Sequence, residues 1–282
     1  MNFELFIFFL LILISESVSG SPLEKKTVES FDGTKISYII EGKGEPVLLF
    51  IHGWSAEKTY WEYQINEFSK DYTVVALDLA GHGESGIKRE NYTIPAYGKD
   101  VAAVAKENGL KNIILVGHSM GGAVAIEAAR ILGDDVIGII GADTFHDLTA
   151  KYTEEDKVEY LKPFKENFRA NCKAFAESMF PVGANKKIVE AVVNDMVAAP
   201  EKVAVNSFEN LLNYDPAPSL NSISVPFIAI NSTFLDTNTA GNRMVTDSFT
   251  VKIIKGVGHY LMIEDPESFN KYLREAISEI QQ

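Results

Sequence analysis

Short apolar runs alternate along this chain with longer stretches of helical period, and that alternation constrains the fold more than any other feature. Pro46–Ile51, Tyr72–Leu77, Asn112–Val116, Val136–Ile140, Val225–Ile230 and Phe249–Ile254 are almost free of charge. Strands read this way when helices cover both faces of their sheet, which is the usual condition of parallel strands. Ahead of them, Lys25–Phe31 and Lys35–Ile40 alternate around Asp32-Gly33, the pattern of a hairpin. Together these segments predict an α/β fold: an eight-stranded, mainly parallel sheet flanked by helices.

The intervening stretches carry the 3.6-residue period. Tyr60, Trp61, Ile65 and Phe68 mark one helix; Pro95 opens another, which buries Tyr97, Val101, Val104 and Ala105 and stops at Asn108-Gly109. Met120–Leu132 ends at Gly133, and Asp265-Pro266 opens a last helix with Phe269, Tyr272, Leu273, Ala276, Ile277 and Ile280 on its buried face. The alternation fails from about residue 146 to about 217, where only helical patterns occur, such as Phe164/Phe168 and Ile188/Val192/Met196. This is read as a helical cap inserted between strands 6 and 7. No Gly/Ser linker sets it apart, so 21–282 is one domain with an insertion.

Residues 1–20 combine an apolar run, Leu5–Ile14, with Val18 and Gly20 at the −3 and −1 positions of a cut before Ser21. The run is short for a membrane span. A cleaved signal peptide is the expectation, with a secreted or periplasmic product and no stable span after leader removal. Glu4 in place of a basic leader residue keeps an uncleaved anchor as the alternative. The net charge of −13 has acidic and basic residues interspersed, so no basic footprint for nucleic acid exists. Cys172 is the one cysteine, which excludes an internal disulfide. No histidine pair has the spacing of a zinc site and no Cys/His cluster occurs, so neither metal nor other cofactor is expected.

The chemistry concentrates in Gly117-His118-Ser119-Met120-Gly121-Gly122, which follows an apolar strand and precedes a helix. That is the strand–turn–helix context of a G-x-S-x-G nucleophile elbow, with a chance glycine-rich turn as the bland alternative. A serine hydroxyl needs a base within hydrogen-bond reach. His259, in the Gly256-Val257-Gly258-His259 loop after the last strand, is the candidate. Of the other histidines, His118 lies inside the elbow, His52 and His82 lie in turn-forming segments, and His146 sits at the cap entrance, where a surface role competes with substrate contact. The main-chain N–H groups of Trp54, after the third strand, and Met120 are the candidate oxyanion donors. The acid of a triad is expected at Asp236, after the seventh strand; Asp143, after the sixth, is its rival.

Leu49–Trp54, Asp78–Ser85, Gly117–Gly122, Val225-Pro226 and Gly256–Pro266 give the chain a resemblance to the α/β-hydrolases, in particular their lid-bearing esterase, lipase and haloperoxidase-like branch. The resemblance spans nearly everything after the leader except the cap. It departs from the family pattern after the seventh strand, where Asn231–Asp236 lacks the usual glycine. It implies a Ser-His-Asp triad of Ser119, His259 and Asp236 that hydrolyses a small carboxylic ester through an acyl-enzyme. Two alternatives stay open. The same triad can act on an amide, lactone or carbon–carbon bond or work as a perhydrolase, and the fold can serve as a non-catalytic ligand receptor. Dehalogenase and epoxide-hydrolase relatives carry Asp at the elbow, where this chain has Ser119.

Overall fold

The computed structural model describes residues 25–246 and 248–282, so the leader lies outside the described residues. The strands are β1 (Lys25–Glu29), β2 (Lys35–Glu41), β3 (Val47–Ile51), β4 (Thr73–Leu77), β5 (Ile113–His118), β6 (Val136–Ala142), β7 (Phe227–Ser232) and β8 (Phe249–Ile254). The α-helices are α1 (Glu62–Phe68), α2 (Ile94–Glu107), α3 (Met120–Leu132), α4 (Glu154–Glu166), α5 (Phe168–Ser178), α6 (Lys186–Ala198), α7 (Glu201–Leu212), α8 (Ala217–Leu220), α9 (Thr239–Val245), α10 (Leu261–Glu264) and α11 (Pro266–Ile280).

The strands form a single eight-stranded sheet in the order β1-β2-β4-β3-β5-β6-β7-β8. β1 and β2 pair antiparallel, with Val28 opposite Ile36, and β2 meets β4 antiparallel, with Tyr38 opposite Leu77. Every later pairing is parallel. The expected architecture is therefore the observed one. Burial follows position: β3 and β5, at the centre, are buried at every residue, whereas the edge strand β1 alternates between exposed and half-buried residues. Burial on both faces explains why the central strands read as unbroken apolar runs.

Helices α2 and α3 pack on one another, and α1 packs with α11. The buried face of α11 consists of Phe269, Leu273, Ala276 and Ile277, with Tyr272 and Ile280 partly covered at its margins. Its N-terminus is capped as the sequence suggests, by the Asp265 side chain accepting the Ser268 N–H.

Helices α4–α7 leave the sheet after β6 and return before β7. They pack mostly on each other, α4 against α5 and α7, and α5 against α6. Polar ties hold them to the body: the Trp54 indole N–H donates to the Ala204 carbonyl at 2.8 Å, the Tyr92 N–H to Asn206 Oδ1 at 2.6 Å, and the Tyr60 hydroxyl to Asp195 Oδ2 at 3.2 Å. Among the described residues no helix is long and apolar enough to cross a membrane.

Candidate active site

Parallel strands bring their carboxyl ends to one edge, and the loops leaving that edge build the site. At the end of β5 the chain reverses into α3 through Ser119, whose φ of 52° and ψ of −119° lie in a region that residues with a side chain seldom occupy. The turn survives because its neighbours are glycines. A Cβ on Gly117 would collide with the Gly121 carbonyl, and one on Gly121 would sit 2.5 Å from the Ile51 carbonyl oxygen of β3. The Ser119 backbone is pinned as well: its N–H donates to the Ala142 carbonyl at 3.1 Å, and its carbonyl accepts the Gly122 N–H at 2.9 Å and the Thr144 hydroxyl at 3.0 Å. The side chain is half-buried and makes no capping bond to α3, so its hydroxyl is left for other work.

His259 follows β8 and donates from Nδ1 to Asp143 Oδ2 at 2.7 Å. The other Asp143 oxygen accepts the Ser232 N–H at 2.7 Å. Burial pushes this carboxyl up, but the hydrogen bond and charge of His259, the Ser232 N–H and the neighbouring His146 outweigh it and hold it below its ordinary range. The carboxylate therefore stays ionised and accepts the Nδ1 proton, which leaves Nε2 as the ring nitrogen turned away from Asp143.

The structure thus brings Asp143, and not Asp236, to His259. Asn231 and Ser232 at the end of β7 account for the difference. Ser232 gives its N–H to Asp143, while Asn231 accepts the Thr144 N–H at 3.1 Å and donates to the Thr237 hydroxyl at 2.9 Å. These bonds tie the β7 loop down at residues 231, 232 and 237 and leave Asp236 exposed between them. Asp143 itself has a φ of 46° and is 1% exposed, a strained turn with its carboxylate turned inward.

Met120 is the first residue of α3, so its N–H is one of the amides at a helix start without an intrahelical acceptor. Gly53 abuts the elbow: a Cβ there would lie 2.7 Å from His118 Nδ1 and 3.2 Å from Ser119 Cβ. Trp54 therefore leaves β3 beside Ser119. Its ring meets Phe164, Phe175 and Phe208 of the cap at centroid distances of 5.3, 5.9 and 5.1 Å.

The remaining histidines have distinct surroundings. His52 donates from Nδ1 to the Gly53 carbonyl at 2.8 Å and accepts the Leu79 N–H on Nε2 at 3.0 Å, so it is a neutral tie between two loops. His118 donates from Nε2 to the His259 carbonyl at 3.0 Å and is buried. His146 is half-buried, with Nε2 3.9 Å from Asp143 Oδ2. It lies beside Asp143, whereas its position in the chain suggested a surface role or substrate contact at the cap entrance. Phe208 and Glu264 were invisible in the sequence, for they carry no motif and acquire meaning only through packing.

A family model described as "Alpha/beta hydrolase family" matches residues 48–271. Among curated proteins, the dihydrolipoyllysine-residue acetyltransferase component of the acetoin cleaving system of Cupriavidus necator is 27% identical over 254 residues, covering 86% of this chain and 66% of that protein. Human epoxide hydrolase 4 is 24% identical over 273 residues, covering 86% of this chain and 75% of its own. Among solved structures, a thermophilic esterase from Thermogutta terrifontis, bound to malate, superposes with a TM-score of 0.79 at 23% identity over 92% of this chain and all of that one. The matched segment runs from the third strand into the last helix and takes in β3 to β8, the elbow and the histidine loop; the chain belongs to the α/β-hydrolase family.

Proposed function

We propose that this hydrolase cleaves small carboxylic esters, with Ser119 as nucleophile, His259 as general base and acid, and Asp143 as the carboxylate that orients the base. The observation that carries the reading is the 2.7 Å bond from His259 Nδ1 to a buried, ionised Asp143, on a loop whose His259 carbonyl is bonded to His118, the residue before the serine in the elbow turn. Ser119 Oγ attacks the ester carbonyl carbon while its proton passes to His259 Nε2. Asp143 stabilises the imidazolium so formed. The carbonyl electron pair moves onto oxygen, where the N–H groups of Trp54 and Met120 receive it. Collapse breaks the bond to the alkoxide, which takes the proton from Nε2 and leaves an acyl-serine. Water, deprotonated by the same nitrogen, attacks the acyl carbon and returns Ser119 and a carboxylic acid.

Epoxide opening fits less well, although an epoxide hydrolase is among the relatives. An elbow carboxylate that opens an epoxide forms an ester, which water can clear. A serine would form an ether, which water does not clear, and the enzyme would stop after one turnover. The esterase among the structural neighbours accords with the ester reading. A panel of p-nitrophenyl esters of increasing acyl length tests it, with Ser119→Ala as control. Loss of the nucleophile is expected to lower kcat by on the order of a million-fold, with the fold retained. A fluorophosphonate is expected to label Ser119. Turnover undiminished in Ser119→Ala would falsify the reading.

A further inference from the structure

The base must be held by its main chain as well as by Asp143, and His259 is fixed from several directions. Its own N–H donates to the Met179 carbonyl at the end of α5 at 2.9 Å, and its carbonyl accepts from His118 Nε2 at 3.0 Å. The residues on either side of it converge on one carboxylate. The Gly258 N–H donates to both Glu264 oxygens, at 3.1 and 3.0 Å, and the Tyr260 N–H to Oε1 at 3.1 Å. No lysine or arginine is paired with Glu264 among the described residues. Its hydrogen bonds instead all close the histidine loop. A carboxylate accepting two flanking amides fixes both peptide planes about His259, and with them the Cα–Cβ vector that aims the imidazole.

We propose that Glu264 is a positioning residue for the catalytic base, its carboxylate clamping the amides on both sides of His259 so that the ring stays aligned between Asp143 and the elbow. This rests on the serine-hydrolase reading above. A glutamine at 264 keeps the shape and, with its carbonyl at the Oε1 position, stays within reach of both amides, but it puts an NH2 group where Oε2 accepts the Gly258 N–H at 3.0 Å, and that donor–donor contact turns the Gly258 peptide off its plane. Misalignment of a reacting group by an ångström can cost on the order of a hundred-fold in rate. The expected loss here is roughly ten- to a hundred-fold in kcat, with KM within about twofold, since Glu264 lies behind the base rather than against substrate.

The test is Glu264→Gln with two readouts: the kcat against KM split on the preferred p-nitrophenyl ester, and the one-dimensional proton NMR signal of the His259 Nδ1–H shared with Asp143. The expected result is a fallen kcat together with a shifted or broadened Nδ1–H signal. Wild-type kcat overturns the proposal, and so does a fallen kcat with that signal unmoved, because the loss would then run through something other than the base. If the glutamine variant does not fold, Glu264→Asp, which keeps the charge but falls a methylene short, is read by the same two criteria. Failure of the parent reading is separable, since it shows as turnover in Ser119→Ala whatever position 264 carries.

Discussion

Asp143 and His259, 116 positions apart in the chain, share a 2.7 Å hydrogen bond in which the acceptor is fully buried and the donor ring is mostly covered. The bond spans the ends of β6 and β8, across the intervening β7, whose Ser232 N–H holds the second carboxylate oxygen. Replacing that carboxylate by an amide keeps the volume but removes the charge that stabilises the imidazolium and fixes the tautomer. Asp143→Asn is expected to cut kcat by about ten-thousand-fold, and Asp236→Asn to leave it near wild type. Paired kinetics on the two variants decide the matter, and a larger loss at Asp236 would remove Asp143 from the triad.

The aromatic cluster beneath the cap is expected to set acyl length. Trp54 leaves the sheet beside the nucleophile and is enclosed by Phe164, Phe175 and Phe208, which also meet each other at 5.6, 5.3 and 6.3 Å. Phe175 and Phe208 are only partly buried, so truncating them enlarges the space beside Trp54 without hollowing out the core. Phe175→Ala and Phe208→Ala are expected to move the preferred p-nitrophenyl ester toward longer acyl chains, whereas Phe180→Ala is not, because Phe180 stacks on Tyr260 at 5.3 Å instead. An unchanged chain-length profile in both of the first two variants would count against the cluster as a specificity wall.

The sheet was legible in the sequence because burial on both faces fills the bodies of β3 to β7 with apolar residues and confines polar ones to the strand ends. The elbow was legible because its glycines answer to close backbone approaches, which permit no side chain. Which carboxylate meets His259 was not, for a different reason. Asp143 and Asp236 both follow a strand at the same edge, and local sequence cannot say which loop folds inward. Asn231 and Ser232 decide it, and their role depends on β6 and β7 being neighbours. The short helix α9 was also missed: seven residues, Thr239–Val245, with Gly241 inside and only Gly241 and Asn242 buried, present no apolar stripe to detect. The cap was recognisable as helical, but which of its aromatics reach Trp54 follows from how α4, α5 and α7 pack. Phe208 packs on Trp54, whereas Phe180 stacks on Tyr260.

Acid should destabilise the protein through its buried imidazoles. Burial pushes His52 down to about 4, and His82 and His118 down to about 3, in each case as the largest cause. The unfolded chain takes up these protons near pH 6.5, whereas the folded protein resists them until pH 3–4. Because the unfolded state binds more protons throughout that window, stability falls as pH falls. Each histidine can contribute a slope of up to about 1.4 kcal/mol per pH unit once the pH is well below 6.5. Urea unfolding at pH 7.5, 6.5 and 5.5 should therefore show a midpoint that drops progressively more steeply. A midpoint constant over that range would mean that the three rings are not held neutral.

The cap and His259 are joined by a main-chain hydrogen bond. His259 gives its N–H to the Met179 carbonyl, and Gly258 lies beneath the same turn, where an added Cβ would collide with that carbonyl and come within 2.9 Å of Pro181 Cδ and 3.0 Å of Phe180 Cα. Two of these atoms are backbone, so the strain cannot be relieved by a rotamer change; either the cap turn lifts or the histidine loop sinks. Both break the Met179–His259 bond. Gly258→Ala is expected to cost about 1–3 kcal/mol of stability, as overpacking at a tight contact does, and to lower kcat more than it raises KM. Circular-dichroism melting alongside steady-state kinetics reads both effects. A variant with wild-type melting temperature and wild-type kcat would show that the turn and the loop move independently, and that the cap does not bear on the alignment of the base.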